Sequence, residues 1–200
     1  MPAVQAPTLL WFRRDLRLAD NAAVAMAAGG GGAVIPVFVL DEAMGRPLGG
    51  ASRWWLDRTL AALARDLERA GSRLILLRGP ADKVIPRLAA ETGARRVLWN
   101  RVFEPAALGV DAAVRRALNR AGVEAQAFKD ALLGEPGALL NGQGRPYQVF
   151  SAYWKAARAG IGFGRAEPRP ARLPGPEAWP ASERLVDWGL HPARASRPSA

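Results

Sequence analysis

Charged side chains are concentrated directly after the first apolar run of the sequence. Residues 12–21 read FRRDLRLADN and carry three arginines and two aspartates. If the apolar run is a central parallel strand, these charges lie at its carboxyl end, where open α/β sheets bind their ligands. The same side chains could instead form ion pairs that only fix a loop. The cluster therefore predicts either a polar ligand site or a structural brace.

Several kinds of reactive site are excluded by residue type. The sequence has no cysteine, which removes disulfides, thiol nucleophiles and cysteine-ligated metals. Its one histidine, His191, lies in a proline-rich tail, so a histidine metal site or catalytic triad has no support. The glycine runs at residues 29–32 and 49–50 fit neither the dinucleotide fingerprint nor the P-loop. We expect no metal and no catalytic side chain.

The chain is strongly basic, with 28 Lys and Arg against 18 Asp and Glu and a formal net charge of +10. A phosphate-rich partner would explain this excess through long-range attraction, but an arginine-rich coding bias would explain it equally well. The apolar run near the N-terminus is too short for a signal peptide or a membrane span. We therefore expect a cytoplasmic protein with no membrane partner.

Apolar runs of strand length alternate with longer amphipathic stretches, as in a parallel sheet covered by helices on both faces. This alternation predicts an α/β fold with a Rossmann-like, doubly wound, five-stranded parallel sheet. The predicted strands are Thr8–Phe12, Val34–Leu40, Arg73–Leu77, Arg96–Trp99 and Glu124–Phe128.

Helical periodicity fills the segments between these strands. The longest stretch, Ser52–Ala70, repeats apolar residues at three- and four-residue steps, beginning with Trp55, and ends before a glycine. We expect Trp11, Trp55 and Trp99 to lie in or near the core. The other predicted helices are Asn21–Ala28, Ala81–Glu91 and Pro105–Ala121.

Three segments follow from this pattern. Residues 6–130 form the α/β domain, and residues 131–160 form a Gly/Pro-rich linker with a short helix near Val149–Ala159. Residues 161–200 form an irregular tail rich in Pro, Arg and Ala, without a sustained apolar period. Disorder is the favoured prediction for this tail, and a compact structure is the alternative.

The loop after the first strand resembles a known family. Residues 9–24, LLWFRRDLRLADNAAV, are similar to the opening of DNA photolyases and cryptochromes, which reads W-x-R-x-D-L-R-x-x-D-N. Further similar segments follow in the same order: VFVLD at 37–41, ASR at 51–53, LLRG at 76–79, WNRVFEP at 99–105 and GRPYQVF at 144–150. The resemblance covers most of residues 8–160 and extends to the stretch at 185–192.

The resemblance implies a bound antenna chromophore. In this family the α/β domain holds a folate, a deazaflavin or a flavin such as FMN, which passes excitation to a catalytic FAD. The positions that would contact it are Arg14, Phe38, Asp41, Arg53 and Glu104. Deazaflavin is favoured over folate or FMN, because folate-binding members have an Asn-Glu pair where this chain has Ala106-Ala107. Val102 departs from the deazaflavin pattern, which has an acidic residue there.

The resemblance also implies what these residues lack. The family's FAD, its DNA lesion and its electron-relay tryptophans belong to a helical domain, which would be supplied in cis or in trans. FAD and DNA would reach this chain only through that partner, and we expect no repair by the chain alone. The alternatives are a nucleotide-binding module of the universal-stress or electron-transfer-flavoprotein type, and a remnant domain that binds nothing.

Overall fold

The computed structural model describes residues 5–42, 47–129, 132, 137–161 and 165–190. Five strands alternate with four helices, and two further helical segments follow them. The strands are β1 (Thr8–Phe12), β2 (Val34–Leu40), β3 (Ile75–Arg78), β4 (Arg96–Asn100) and β5 (Glu124–Phe128). The α-helices are α1 (Ala22–Gly29), α2 (Gly50–Arg69), α3 (Ala81–Thr92), α4 (Pro105–Arg120) and α5 (Phe150–Gly160), and Leu185–Trp188 forms one 3₁₀ turn.

The five strands form one parallel sheet in the order β3-β2-β1-β4-β5. This arrangement confirms the predicted Rossmann-like α/β class. All five residues of β1, the central strand, are buried, because helices cover the sheet on both faces. The carboxyl ends of β1 and β4 therefore lie side by side, in the middle of the end of the sheet where all five strands finish.

Side-chain alternation along β1 separates two cores. Leu10 and Phe12 pack on the face covered by α1 and α2, while Leu9 and Trp11 pack on the face covered by α3 and α4. Trp11 and Trp99 are buried as predicted, with ring centroids 5.8 Å apart.

The prediction for Trp55 is wrong. Its side chain is 63% exposed, because α2 buries only the stripe formed by Leu60, Leu63 and Leu67 in its second half. In the first half of α2, Leu56 packs partly against the α1/α2 core while Trp54 and Trp55 lie at the surface.

The prediction of a disordered tail is wrong for residues 165–190, which we call the strap. Leu173 and Trp188 are buried in the α1/α2 core. Backbone hydrogen bonds join Leu173 N to Ala70 O at 2.8 Å and Glu183 N to Leu76 O at 2.8 Å. The second bond covers the open edge of β3, which would otherwise be exposed to pairing with another chain. The strap is irregular, as predicted, but packed.

Some predictions fall outside the described residues. These are residue 130 at the end of the predicted domain, residues 131 and 133–136 of the linker, residues 162–164 of the tail, and the tail beyond 190 with His191. The helix predicted near Val149–Ala159 is α5, shifted by one residue. The domain boundaries at 130 and 160 stay predictions. No helix among the described residues is long and apolar enough to cross a membrane.

Candidate functional site at the switch point of the sheet

The carboxyl ends of β1 and β4 form the topological switch point of the sheet. The chain leaves β1 toward α1 on one face and leaves β4 toward α4 on the opposite face. Two neighbouring strands whose connections diverge in this way leave a crevice between their loops, and open α/β sheets bind ligands there. The charged residues that follow β1 lie at this crevice.

A buried polar network holds the loop after β1 against the end of β4. Asn100 Nδ2 donates to Asp15 Oδ2 at 2.6 Å and to Asn21 Oδ1 at 2.8 Å. Asn21 Oδ1 also accepts from Val24 N at 3.0 Å, which caps the start of α1. Asp15, Asn21 and Asn100 are all buried. The polar residues of the DLRLADN stretch therefore form one brace between β1, α1 and β4.

A buried ion pair lies on the other side of the same loop. Arg13 Nη1 contacts the carboxylate of Asp111 on α4, and Trp99 Nε1 donates to Asp111 Oδ2 at 3.2 Å. The Arg13 guanidinium also lies 4.7 Å from the centre of the Trp11 ring. Burial raises the pKa of Asp111, and the positive charge of Arg13 opposes that rise. This pair fixes α4 to the end of β1.

The solvent side of the loop carries a second ion pair. Arg14 and Glu104 meet as a two-pronged fork, with Nη1–Oε1 at 2.6 Å and Nη2–Oε2 at 2.7 Å. Their side chains are 63% and 50% exposed. Glu104 is the residue before α4, whose first residue is proline, and Arg14 follows β1 directly. The switch point thus brings together two predicted site residues that are 90 positions apart.

A small cavity of about 50 Å³ opens beside this pair. Three of the side chains that line it are arginines, so its surroundings favour an anionic group. Val102, the position where the deazaflavin pattern has an acid, contributes an apolar wall. The lining residues are Arg14, Asp15, Arg17, Asn100, Arg101 and Val102.

The other three predicted site residues contact the protein itself. Asp41 Oδ2 accepts from Ala81 N at 2.8 Å at the start of α3. Arg53 Nη2 donates to Gly189 O of the strap at 3.0 Å. Phe38 is buried and packs against Trp188 of the strap, with ring centroids 6.0 Å apart. The structure therefore joins Arg14 to Glu104 but does not bring all five residues around one cavity.

A larger cavity of about 380 Å³ lies between α2 and the strap. Its size falls within the range of about 300–1,000 Å³ typical of small-molecule sites. Asp57 of α2 and the apolar residues Leu185, Val186 and Leu190 line it, together with Gly189. The sequence did not indicate this cavity, because one of its walls belongs to the tail that was predicted to be disordered.

Sequence reasoning included Arg17 in the charged cluster but did not assign Arg17, Asn100 or Arg101 as contacts of a ligand. Asn100 and Arg101 follow the predicted end of β4, and Arg17 lies in the charged loop after β1. Their signal was the position itself, since polar side chains at the carboxyl ends of two adjacent central strands lie at one crevice. The order of the strands, which makes β1 and β4 adjacent, was not readable from the residues.

The family model and the sequence relatives that match this chain all belong to one protein family. The family model described as DNA photolyase matches residues 8–176. A deoxyribodipyrimidine photo-lyase of Agrobacterium fabrum is 42% identical over 194 residues, covering 94% of this chain and 39% of the relative. Cryptochrome-2 of Arabidopsis thaliana is 38% identical over 152 residues, covering 74% of this chain and 24% of the relative.

Solved structures agree with the sequence relatives. A bacterial class III photolyase from Agrobacterium tumefaciens superposes with a TM-score of 0.90 at 40% identity, covering 95% of this chain and 39% of that one. An archaeal photolyase from Sulfolobus tokodaii, solved with two FAD molecules, shares the fold with a TM-score of 0.75 at 24% identity, covering 90% of this chain and 40% of that one. The chain spans about 39% of the length of the photo-lyase from Agrobacterium fabrum.

Proposed function

Because the chain belongs to the DNA photolyase family, we propose that it is the antenna-chromophore domain of a photolyase-type protein. The observation that carries this proposal is the Arg14–Glu104 pair beside a cavity at the switch point, which is the ligand position of this fold class. A chromophore bound there would absorb light and pass the excitation to a flavin. Family membership sets aside the universal-stress and electron-transfer-flavoprotein alternatives.

The proposed chromophore is a deazaflavin rather than folate or FMN. Three arginines line the switch-point cavity and favour an anionic ligand, a condition that an ionised hydroxydeazaflavin meets, as do the phosphate of FMN and the glutamate of a folate. Ala106 and Ala107, on the first turn of α4, offer no polar side chain to a folate. Val102 would supply the apolar wall that a planar ring needs.

A tricyclic ring requires more space than the cavity of about 50 Å³ provides. The exposed Arg14–Glu104 pair is the part that can open, since ion pairs in solvent contribute only about 0–1 kcal/mol. The brace beneath it is buried and stays in place. Binding would therefore exchange the carboxylate of Glu104 for the ligand as the partner of Arg14.

The other three predicted site residues stabilise two different parts of the fold. Asp41 holds the start of α3, one strand away from the switch point. Phe38 and Arg53 hold the strap, which forms one wall of the larger cavity beside α2. A chromophore in that larger cavity is the alternative location, and variants at Arg14 and Arg53 separate the two.

We assign DNA repair itself to a different domain. The relatives are much longer than this chain. We propose that FAD and the DNA lesion bind to a helical domain outside the residues matched here, supplied in cis or in trans. DNA would be contacted through that partner, and the residues described here would not repair it alone. A cytoplasmic location stays a prediction.

The test is an absorption titration of the purified chain with a hydroxydeazaflavin, methenyltetrahydrofolate and FMN. We expect a saturable, red-shifted deazaflavin band whose affinity falls at least tenfold in Arg14→Ala. Asp41→Ala should lower the affinity less, because Asp41 holds the start of α3 one strand away from the cavity. Arg69→Ala is the matched control, because Arg69 is an exposed arginine near the end of α2 that pairs with Asp66 one turn earlier.

Other outcomes would indicate a different site, a different chromophore or no chromophore. A band that is lost in Arg53→Ala but kept in Arg14→Ala would move the chromophore to the cavity beside α2. A folate or FMN band would retain the antenna role and overturn the choice of deazaflavin. Binding of none of the three would overturn the antenna proposal and favour a ligand-free remnant.

A further inference from the structure

Helix α5 presents aromatic and aliphatic side chains to solvent. Val149, which precedes the helix, is 61% exposed, and Phe150 and Trp154 are 74% and 40% exposed. Phe150 and Trp154 are one turn apart, and their rings stack with centroids 6.3 Å apart at an interplanar angle of 8°. We call these three residues the α5 face. Exposed apolar patches of this kind mark surfaces that contact another molecule.

The helix has little to hold it within the described chain. Ala157 is its only buried residue, and α5 packs extensively against none of the described strands or helices. It has 11 residues and no side-chain hydrogen bond at its N-cap. Isolated helices shorter than about 12–15 residues are marginal in water, because nucleation is unfavourable. A stable α5 therefore requires a partner that covers the α5 face.

We propose that the α5 face is the docking surface for the FAD-binding helical domain that the proposed function requires. This inference rests on that function, since the partner exists only if the chain is part of a photolyase-type protein. The Agrobacterium photo-lyase is long enough to contain such a domain, because this chain covers only 39% of it. Aromatic side chains are the residues that most often anchor such interfaces.

The charges around α5 argue against a second copy of this chain. The sequence from 136 to 166 contains the basic residues Arg145, Lys155, Arg158 and Arg165 and no aspartate or glutamate. The whole chain has a formal net charge of +10. Two α5 faces brought together would place like charges opposite each other, which opposes association. The charge pattern instead fits a partner with an acidic rim around an apolar centre.

The test is amide hydrogen exchange of residues 153–160, measured by mass spectrometry in two proteins. One is this chain alone, and the other is this chain fused to the remaining length of the Agrobacterium class III photolyase. We expect exchange close to the unstructured rate in the chain alone and at least 100-fold slower exchange in the fusion. In the fusion, Phe150→Ser with Trp154→Ser should return the rate to that of the chain alone.

The matched control is Trp54→Ser with Trp55→Ser, an exposed aromatic pair on α2. Equal loss of α5 protection in this control would overturn the proposal. Slow exchange in the chain alone that increases with protein concentration would assign the surface to a second copy. Protection that appears in the fusion only when duplex DNA is added would assign it to nucleic acid. Unprotected α5 amides in the fusion would also overturn it.

Chromophore titration of the same variants separates this proposal from the proposed function. Phe150→Ser with Trp154→Ser leaves the switch point untouched, so the deazaflavin band of the chain alone should be unchanged. A missing band together with slow α5 exchange in the fusion would overturn the antenna role while supporting the docking surface.

Discussion

Arg13 and Arg14 are adjacent in sequence but have opposite environments. The side chain of Arg13 is 3% exposed and pairs with Asp111 beneath the loop, whereas Arg14 lies in solvent and pairs with Glu104 above it. Both residues lie in the bend that follows β1, and Arg13 turns its side chain inward, over the Trp11 ring and onto Asp111 of α4. One arginine joins the sheet to α4, and its neighbour is left for a ligand.

The comparison shows how a single loop combines rigidity with a site that can open. The inner side is fixed by the Arg13–Asp111 pair and by the Asp15, Asn21 and Asn100 network. The outer side carries the exposed Arg14–Glu104 pair, which contributes little to folding. Substitutions on the two sides should therefore separate stability from binding.

The largest expected effect is at Arg13. Arg13→Ala leaves the carboxylate of Asp111 buried without its cation, and breaking a buried pair in this way costs about 3–5 kcal/mol. Urea unfolding followed by tryptophan fluorescence measures it. The double variant Arg13→Ala with Asp111→Leu should recover part of the loss, because no charge is then left buried. A loss in Arg13→Ala no larger than that in Arg14→Ala would contradict the comparison.

The next effect is at Asn100. Asn100→Ala removes one hydrogen bond each from the buried acceptors Asp15 Oδ2 and Asn21 Oδ1 and also removes the acceptor of Ala23 N, which costs about 1–3 kcal/mol. Urea unfolding measures this change as well. The matched control is Asn119→Ala on α4, where the asparagine is exposed and alanine is the better helix former. If both substitutions cost the same, the network would not be a brace.

A smaller effect concerns pH. Burial raises the pKa of Asp111 in the folded protein above the unfolded value of about 3.9. In the interval between these two values the folded state binds more protons, so this group makes the protein less stable as pH rises from about 4 through the raised pKa. Asp111→Asn should remove that slope. A carboxyl ¹³C titration of Asp111 by NMR gives the pKa directly, and a value below 3.9 would refute the assigned direction.

The smallest effect on folding is expected at Arg14. Arg14→Ala should change the free energy of unfolding by no more than about 1 kcal/mol, because the pair it breaks is exposed. Thermal and urea unfolding check this value on the same samples used for the chromophore titration. A loss above about 2 kcal/mol would show that the outer side of the loop is structural too.

The inner part of the sheet was predictable because its strands are continuous apolar runs. β1 and β2 have the predicted bounds, since strands buried on both faces leave no ambiguity of period. The strap was not predictable for the converse reason. Leu173, Trp188 and Leu190 are single anchors that enter a core already formed by other elements, and isolated apolar residues have no period to detect.

The candidate site was only partly predictable. The residue types at Arg14 and Glu104 were readable, but their contact depends on β4 lying beside β1, which the order of segments along the chain does not reveal. Phe38 and Arg53 were assigned through the family resemblance alone. The strap that both of them contact came from the tail whose structure the sequence did not show.

The strap also determines where this gene could be recombined. It returns from beyond α5 to hydrogen-bond at the start of α1, at the end of α2 and along β3. A crossover between positions 130 and 160 would combine the sheet of one homologue with the strap of another, so that Phe38 and Trp188 come from different parents. A crossover after position 190 would keep both together. Shuffled homologues should therefore survive in greater numbers with junctions beyond the strap than with junctions after β5.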